Sequence, residues 1–221
     1  MTRGFGGAVD VELDTPVLIV EDLTKRYGGV VGFSDISFAL RPGEAGVVVG
    51  PNGSGKTTLL RCVVGAETPD AGAVRLLGRR FDETDPEVRA AVAGALDDVD
   101  FFPDLSVIEH LELLAYAHGS PAGGADVPGL LSDLGLDAAR DQLPPTLSSG
   151  QRRRLALASC FVRPRRLLVL DEPEQRLDVR GRSWLIERLI EEKRAGVAVL
   201  VATHDPDLVR GVGDHVIGVG G

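Results

Sequence analysis

The stretch Gly50-Pro51-Asn52-Gly53-Ser54-Gly55-Lys56-Thr57 decides the fold of this 221-residue chain. It follows the apolar run Val47-Val48-Val49, which is typical of a strand buried on both faces of a sheet. A helical pattern continues directly from it to Val64. A glycine, four further residues and then Gly-Lys-Thr, between a strand and a helix, predict a phosphate-binding loop. An ordinary glycine-rich turn is the alternative interpretation.

Each residue type in the loop has a chemical reason to be there. Glycine permits positive φ, so the backbone N–H groups and the helix N-terminus turn toward an anion. Lysine brings a point charge to the β- and γ-phosphates, and the threonine hydroxyl is a hard oxygen ligand for Mg²⁺. The pattern therefore indicates a nucleoside triphosphate, without indicating what its hydrolysis drives. The predicted nucleotide-binding residues here are Asn52, Gly53, Ser54, Gly55, Lys56, Thr57 and Thr58.

A second polar centre follows another apolar run, Leu167–Leu170, which ends in Asp171-Glu172-Pro173. Because the carboxyl ends of parallel strands meet at one edge of a sheet, both carboxylates are expected beside the phosphate loop. Asp171 is predicted to hold Mg²⁺ through water, and Glu172 to polarise the attacking water. A solvated acidic turn is the alternative.

The rest of the chain predicts an α/β fold in one domain. Strand-like patterns dominate the first eighty residues, and short helices are predicted between about Asp82 and Pro145. After Ser148, helices alternate with strands, which predicts parallel β-α-β units. We assign residues 1–15 to a flexible leader and 16–221 to the domain, with a helical insertion at about 97–163.

Composition excludes some classes of function. The chain has 24 basic and 33 acidic residues, a formal charge of −9, so a main role in neutralising nucleic-acid phosphates is not expected. It has no apolar run long enough to span a bilayer. The segment Met1–Asp10 lacks the apolar centre of a secretory signal, so a cytoplasmic location is expected. Cys62 and Cys160 have no metal-ligand spacing and are predicted to be packed core thiols.

A further motif, Leu147-Ser148-Ser149-Gly150-Gln151, resembles the signature motif of ATP-binding cassette (ABC) transporter nucleotide-binding subunits. Tyr27 resembles the aromatic residue that stacks on adenine in that family, and Leu177-Asp178 the end of its D-loop. Thr203-His204-Asp205 resembles its switch histidine. The resemblance implies a P-loop NTPase core with a mostly parallel sheet, an N-terminal antiparallel β subdomain and a helical insertion.

The resemblance also implies a mechanism and partners. Two cassettes close head to tail around two ATP molecules with Mg²⁺, and Ser148, Gly150 and Gln151 of one reach the nucleotide of the other. Glu172, His204 and Lys56 are then the catalytic residues. Separate transmembrane permease subunits, no nucleic acid, and a peripheral position on the inner face of the cell membrane are implied. Whether the two cassettes are identical, which substrate is carried and in which direction are left open.

Three positions depart from the family pattern. Asp97 stands where the family carries a glutamine that touches Mg²⁺, so we predict a metal site of Thr57, Asp171 and Asp97, with a solvated loop as the alternative. Ser149 replaces a glycine of the signature, and Gln175-Arg176 replaces small residues of the D-loop. Two other functions stay possible: a soluble ATPase without a membrane partner, of the cofactor-assembly type, and a nucleotide-responsive scaffold with negligible turnover.

Overall fold

The computed structural model describes residues 15–28, 30–82, 84–96, 100–119 and 126–220. Most of the predicted leader and the whole of Asp97 lie outside those ranges. The strands are β1 (Leu18–Tyr27), β2 (Val30–Leu40), β3 (Ala45–Val49), β4 (Ala71–Leu76), β5 (Arg79–Arg80), β6 (Val92–Ala95), β7 (Leu167–Asp171), β8 (Ala198–Ala202) and β9 (His215–Gly218). The α-helices are α1 (Lys56–Val63), α2 (Pro86–Ala91), α3 (Val107–Ala117), α4 (Val127–Asp133), α5 (Ser149–Phe161), α6 (Val179–Arg194) and α7 (Pro206–Val212).

Five strands form a parallel sheet in the order β6-β7-β8-β3-β9. Strands β7 and β8 are buried along their whole length, which is why their sequences are continuously apolar rather than alternating. Because the strands run in one direction, their carboxyl ends meet at one edge. The phosphate loop follows β3 at that edge, Asp171 ends β7, and Thr203 follows β8.

A second, antiparallel sheet has the order β2-β1-β4-β5 and covers one side of the domain. Its buried residues Leu18 and Leu76 belong to one core cluster with Leu59 and Leu60 of α1 and with Leu200 of β8. The predicted combination of an antiparallel β subdomain with a mostly parallel sheet is confirmed. Within the described ranges, no helix combines the length and the apolar character that a membrane-spanning segment requires.

The other face of the parallel sheet packs against α6 and α7. Leu168 and Val199 of the sheet share a second core cluster with Leu185 and Leu189 of α6 and with Leu208 of α7. The side chains are fully or almost fully buried, so α6 and α7, together with α5, shield this face from water.

The two cysteines lie on opposite faces of the parallel sheet. Cys62 belongs to the cluster under α1, and Cys160 to the cluster under α6 and α7. Both thiols are buried and free, and burial raises the pKa of each to about 11. The prediction of packed core thiols is confirmed.

Helices α3, α4 and α5 pack around a third apolar cluster that includes Leu111, Leu131 and Leu155. Helix α3 begins at a capping box: the Ser106 backbone N–H donates to the Glu109 carboxylate at 2.8 Å, and the Glu109 N–H donates back to the Ser106 hydroxyl at 3.4 Å. Two donors that no helical carbonyl can reach are thereby satisfied, which fixes where the helix begins.

The prediction of short helices joined by loops between about Asp82 and Pro145 was wrong at β6. Val92–Ala95 is a strand that pairs in parallel with β7, Val92 opposite Leu167 and Ala95 opposite Leu170. Only one of its four residues is β-branched, and α2 ends immediately before it at Ala91. Pairing with the buried edge of β7 overrides the weak local preference of this short segment.

His110 is a buried histidine in the helical part of the chain. Its ring lies 5.3 Å from that of Phe101 and 5.6 Å from that of Phe102, and its Nε2 is 3.4 Å from the Ser159 hydroxyl. Among the residues that the structure describes, the buried Nδ1 has no hydrogen-bond partner. Burial lowers the pKa of His110, because an imidazolium there would lose its hydration and bury an unpaired N–H.

We expect His110→Leu to reduce the acid sensitivity of folding. The lowered pKa keeps folded His110 neutral while the unfolded chain takes up a proton below about pH 6.5, so wild-type stability falls with pH by at most about 1.4 kcal/mol per unit from this group. Urea unfolding at pH 7.5 and 5.5 measures the difference. The wild type should lose more free energy of unfolding than the variant; equal losses would contradict this account.

Candidate active site

The phosphate loop joins the carboxyl end of β3 to the first turn of α1. Gly53 has φ 79° and Gly55 φ 99°, in the left-handed region that favours glycine. Gly55 is the N-cap of α1. Because glycine has no side chain, it offers no acceptor to the first N–H groups of the helix. A Cβ on Gly55 would also lie 3.1 Å from the Gly32 carbonyl oxygen. The loop therefore has the backbone conformation and the helix end that bind an anion.

Lys56 lies across the inside of this loop. Its side chain is buried, and its Nζ donates to the carbonyl oxygens of Gly50 at 3.0 Å and Pro51 at 3.1 Å. The ammonium group is thus held at the centre of the loop, with neutral backbone oxygens as its partners. Anionic oxygens that enter the loop can replace those carbonyls as acceptors.

Thr57 and Asp171 bring two hard oxygen ligands together. The Thr57 hydroxyl, from the first turn of α1, donates to the Asp171 carboxylate at the end of β7 over 2.6 Å. Magnesium is commonly held by one or two protein oxygens together with phosphate oxygens and water, and this pair fits that need. Within the described ranges no cluster of three or more His, Cys, Asp or Glu side chains could hold a metal. Asp97, the third predicted ligand, lies outside the described residues.

Glu172 and His204 form the second pair of the site. Glu172 follows β7 in the left-handed conformation, φ 44°, and its N–H donates to the Ala202 carbonyl at 2.8 Å. Its Oε1 lies 3.2 Å from Nε2 of His204, which follows β8. The side chain of Glu172 is 24% exposed and that of His204 is 44% exposed, so solvent reaches both. Neighbouring strand ends thus present a carboxylate and an imidazole together.

The signature residues lie at the start of α5. The Ser148 hydroxyl accepts from the Gln151 N–H at 3.2 Å, and the Ser148 N–H donates to Gln151 Oε1 at 2.9 Å, which makes a second capping box. Gly150 has open space where a Cβ would project. The positive end of the helix dipole is therefore ordered and partly open to solvent. That Ser148, Gly150 and Gln151 complete the site of another subunit stays a prediction.

Tyr27 ends β1 beside α1. Its hydroxyl donates to the Glu67 carboxylate and lies 3.5 Å from the Thr58 hydroxyl, and the Lys25 ammonium is 5.4 Å from its ring centroid. The hydrogen bond to Glu67 raises the pKa of Tyr27. About half of the side chain is exposed, so a ring face is available next to the loop helix. Adenine stacking on Tyr27 stays a prediction.

A cavity of about 650 Å³ opens beside Asp171 and Glu172. Sequence reasoning missed one of its lining residues, Arg153, whose guanidinium donates to the carbonyl oxygens of both Asp171 and Glu172, the latter at 3.3 Å. It orients the turn that carries both carboxylates. No periodic signal connects Arg153 with β7, because the contact joins the second turn of α5 to the end of a strand 18 residues further along the chain. The other polar lining residues are Arg61, Ser149, Arg152, Gln175 and Arg176.

Known proteins resemble this chain in sequence and in fold. The family model described as ABC transporter matches residues 33–175. A sulfate/thiosulfate import ATP-binding protein of Chromobacterium violaceum is 37% identical over 90% of this chain, which spans only 55% of that relative's length. A cytochrome c biogenesis ATP-binding export protein of Cupriavidus necator is 38% identical over 86% of this chain and 84% of its own length. A solved ATP-binding subunit of an ABC transporter superposes with a TM-score of 0.83 at 27% identity, covering 92% of this chain and 85% of that chain.

Proposed function

The chain belongs to the ABC transporter family, and from that membership we propose that it binds and hydrolyses ATP to drive a transporter whose membrane-spanning part consists of separate polypeptides. The proposal depends on one observation: two pairs of side chains in contact, Thr57 with Asp171 and Glu172 with His204, lie beside the phosphate loop. One pair suits a metal bound to phosphates, and the other suits activation of water.

The phosphate loop supplies the groups that bind ATP. Backbone N–H groups around Gly53 and Gly55 and the ammonium of Lys56 bind the β- and γ-phosphates. Thr57 and Asp171 would hold Mg²⁺ there, which when bound offsets the charge that develops on the phosphate oxygens. The exposed ring of Tyr27 stacks on the adenine. The donor set and the exposed ring support these assignments.

Hydrolysis uses the second pair. A water oxygen attacks the γ-phosphorus, one water proton passes to the Glu172 carboxylate, and the bond to the bridging oxygen breaks to give ADP and phosphate. His204, whose Nε2 lies beside the Glu172 carboxylate, is placed to donate its N–H to the γ-phosphate next to the base. The 3.2 Å separation of the two side chains supports this division of roles.

The site is proposed to be complete only in a pair of cassettes. Ser148, Gly150 and Gln151 begin a helix whose positive dipole end is partly exposed, which suits the γ-phosphate of ATP held by a second cassette. The membrane subunits would hold the pair on the inner face of the cell membrane. Transport proteins that import and proteins that export are both among the relatives, so the direction of transport is not assigned.

Purification from detergent-solubilised membranes tests the proposal. A tagged chain should be retained by an integral membrane protein, and the complex should release phosphate from ATP. Glu172→Gln is the matched control, because it should be retained equally while the complex loses phosphate release. If the active chain were found only in water-soluble complexes, the soluble type of ATPase would replace this proposal.

A further inference from the structure

The D-loop residues Gln175 and Arg176, which follow Glu174, are larger than the small residues that the family resemblance predicts there. The turn that carries them is tight: the Gln175 N–H donates to the Glu172 carbonyl at 3.1 Å, and the Leu177 N–H to the Glu174 carbonyl at 3.1 Å. Arg176 adopts φ 64°, in the left-handed region, which adds to the reversal of the chain. In this turn the long side chains of Glu174 and Gln175 lie back toward the end of β7.

Gln175 contacts the proposed general base directly. Its side-chain amide Nε2 donates to Oε2 of Glu172, while Oε1 of the same carboxylate lies beside His204 Nε2. The carboxylate is therefore held by one neighbour at each oxygen. Each oxygen keeps a further lone pair, so a water molecule can still donate to the base.

Glu174 contacts the loop that carries His204, the partner of Glu172. Its Oε1 accepts from the Thr203 hydroxyl and from the backbone N–H of His204, the latter at 3.3 Å. Thr203 is buried, and its hydroxyl also accepts from the Asp205 N–H at 2.9 Å. Glu174 thus ties the turn after β7 to the loop that carries His204.

We propose that Gln175 is a positioning residue for ATP hydrolysis, which holds the Glu172 carboxylate in the orientation that accepts the water proton. The inference rests on the proposed function. A glutamine is long enough to reach the base and, being neutral, adds no charge beside the phosphates. A serine-sized side chain could not span from the turn to Oε2 of Glu172. An unrestrained carboxylate rotates about its side-chain bonds, and lost alignment with the attacking water slows the reaction.

Gln175→Met keeps the length of the side chain and removes the donor. In the complex of the chain with its membrane subunits, kcat should fall roughly 5- to 20-fold, less than on loss of the base itself. The KM for ATP should be unchanged, because Gln175 makes no contact with the phosphate loop in the described structure. Gln142→Met, at a glutamine bonded to Ala138 in the helical part, is the matched control and should match the wild type.

A double variant separates positioning from a general structural effect. If Gln175 acts through Glu172, Gln175→Met should cause no further loss in the Glu172→Gln background. Equal kcat for wild type and Gln175→Met, or full additivity with Glu172→Gln, would each overturn the inference. A wild-type complex that releases no phosphate would instead contradict the proposed function, so the two failures are distinguishable.

Discussion

Replacing Glu172 with glutamine is expected to lower the rate of phosphate release by roughly 10²- to 10⁴-fold, the range that a general base contributes. Glutamine has nearly the same shape but cannot accept the proton of the attacking water. The Asp171 carboxylate, the phosphate loop and His204 stay in place, so ATP should bind with wild-type affinity. Single-turnover phosphate release and equilibrium nucleotide binding, measured on the same preparation, separate the two effects.

Glu187→Gln provides the matched control for this prediction. Glu187 is an exposed carboxylate on α6, so its replacement changes the net charge equally without touching the site. It should leave phosphate release unchanged. Undiminished phosphate release by Glu172→Gln would show that another group activates the water. Negligible release by the wild type, with ATP still bound, would favour the nucleotide-responsive scaffold.

Replacing Lys56 with alanine is expected to weaken ATP binding roughly 10- to 150-fold, since a hydrogen bond to a charged group contributes about 1.5–3 kcal/mol. The ammonium group is buried in the loop and bonded only to the carbonyl oxygens of Gly50 and Pro51 among the described partners. It is therefore placed to exchange those acceptors for phosphate oxygens. Calorimetric titration with ATP and Mg²⁺ measures the change in Kd.

Lys193→Ala is the corresponding control for Lys56. Lys193 pairs with Asp214 at 2.7 Å and donates to the Val212 carbonyl, both distant in sequence from the loop. Its loss should lower thermal stability without altering the Kd for ATP. Equal ATP affinity for the wild type and Lys56→Ala would mean that the loop does not hold the phosphates.

The sequence was sufficient to predict how the site is assembled, because continuous apolar runs identify strands buried on both faces. Once β3, β7 and β8 are parallel neighbours, their carboxyl ends must meet, and the loop, Asp171, Glu172 and His204 come together. The signature motif was identified by its resemblance to the family. A capping box depends on residues only three apart, such as Ser106 and Glu109, so it is also visible in the sequence.

Other features could not be predicted from local patterns. Strand β6 is too short and too weakly β-branched to stand out, and only its pairing with β7 makes it a strand. The contacts of Arg153, Glu174 and Gln175 depend on rotamers and on the reversal of the chain after β7. The sequence shows that Gln175 departs from the family pattern of the D-loop, but not that its amide contacts an oxygen of Glu172.

We propose that each ATP site is shared between two copies of this chain, one supplying the phosphate loop and the other the signature residues. Light scattering of the Glu172→Gln chain, with and without ATP and Mg²⁺, tests it most directly, because blocked hydrolysis should preserve the closed pair. We predict that the mass doubles from one chain to two only when ATP and Mg²⁺ are present. Saturating ATP binding with the mass of a single chain would contradict the claim.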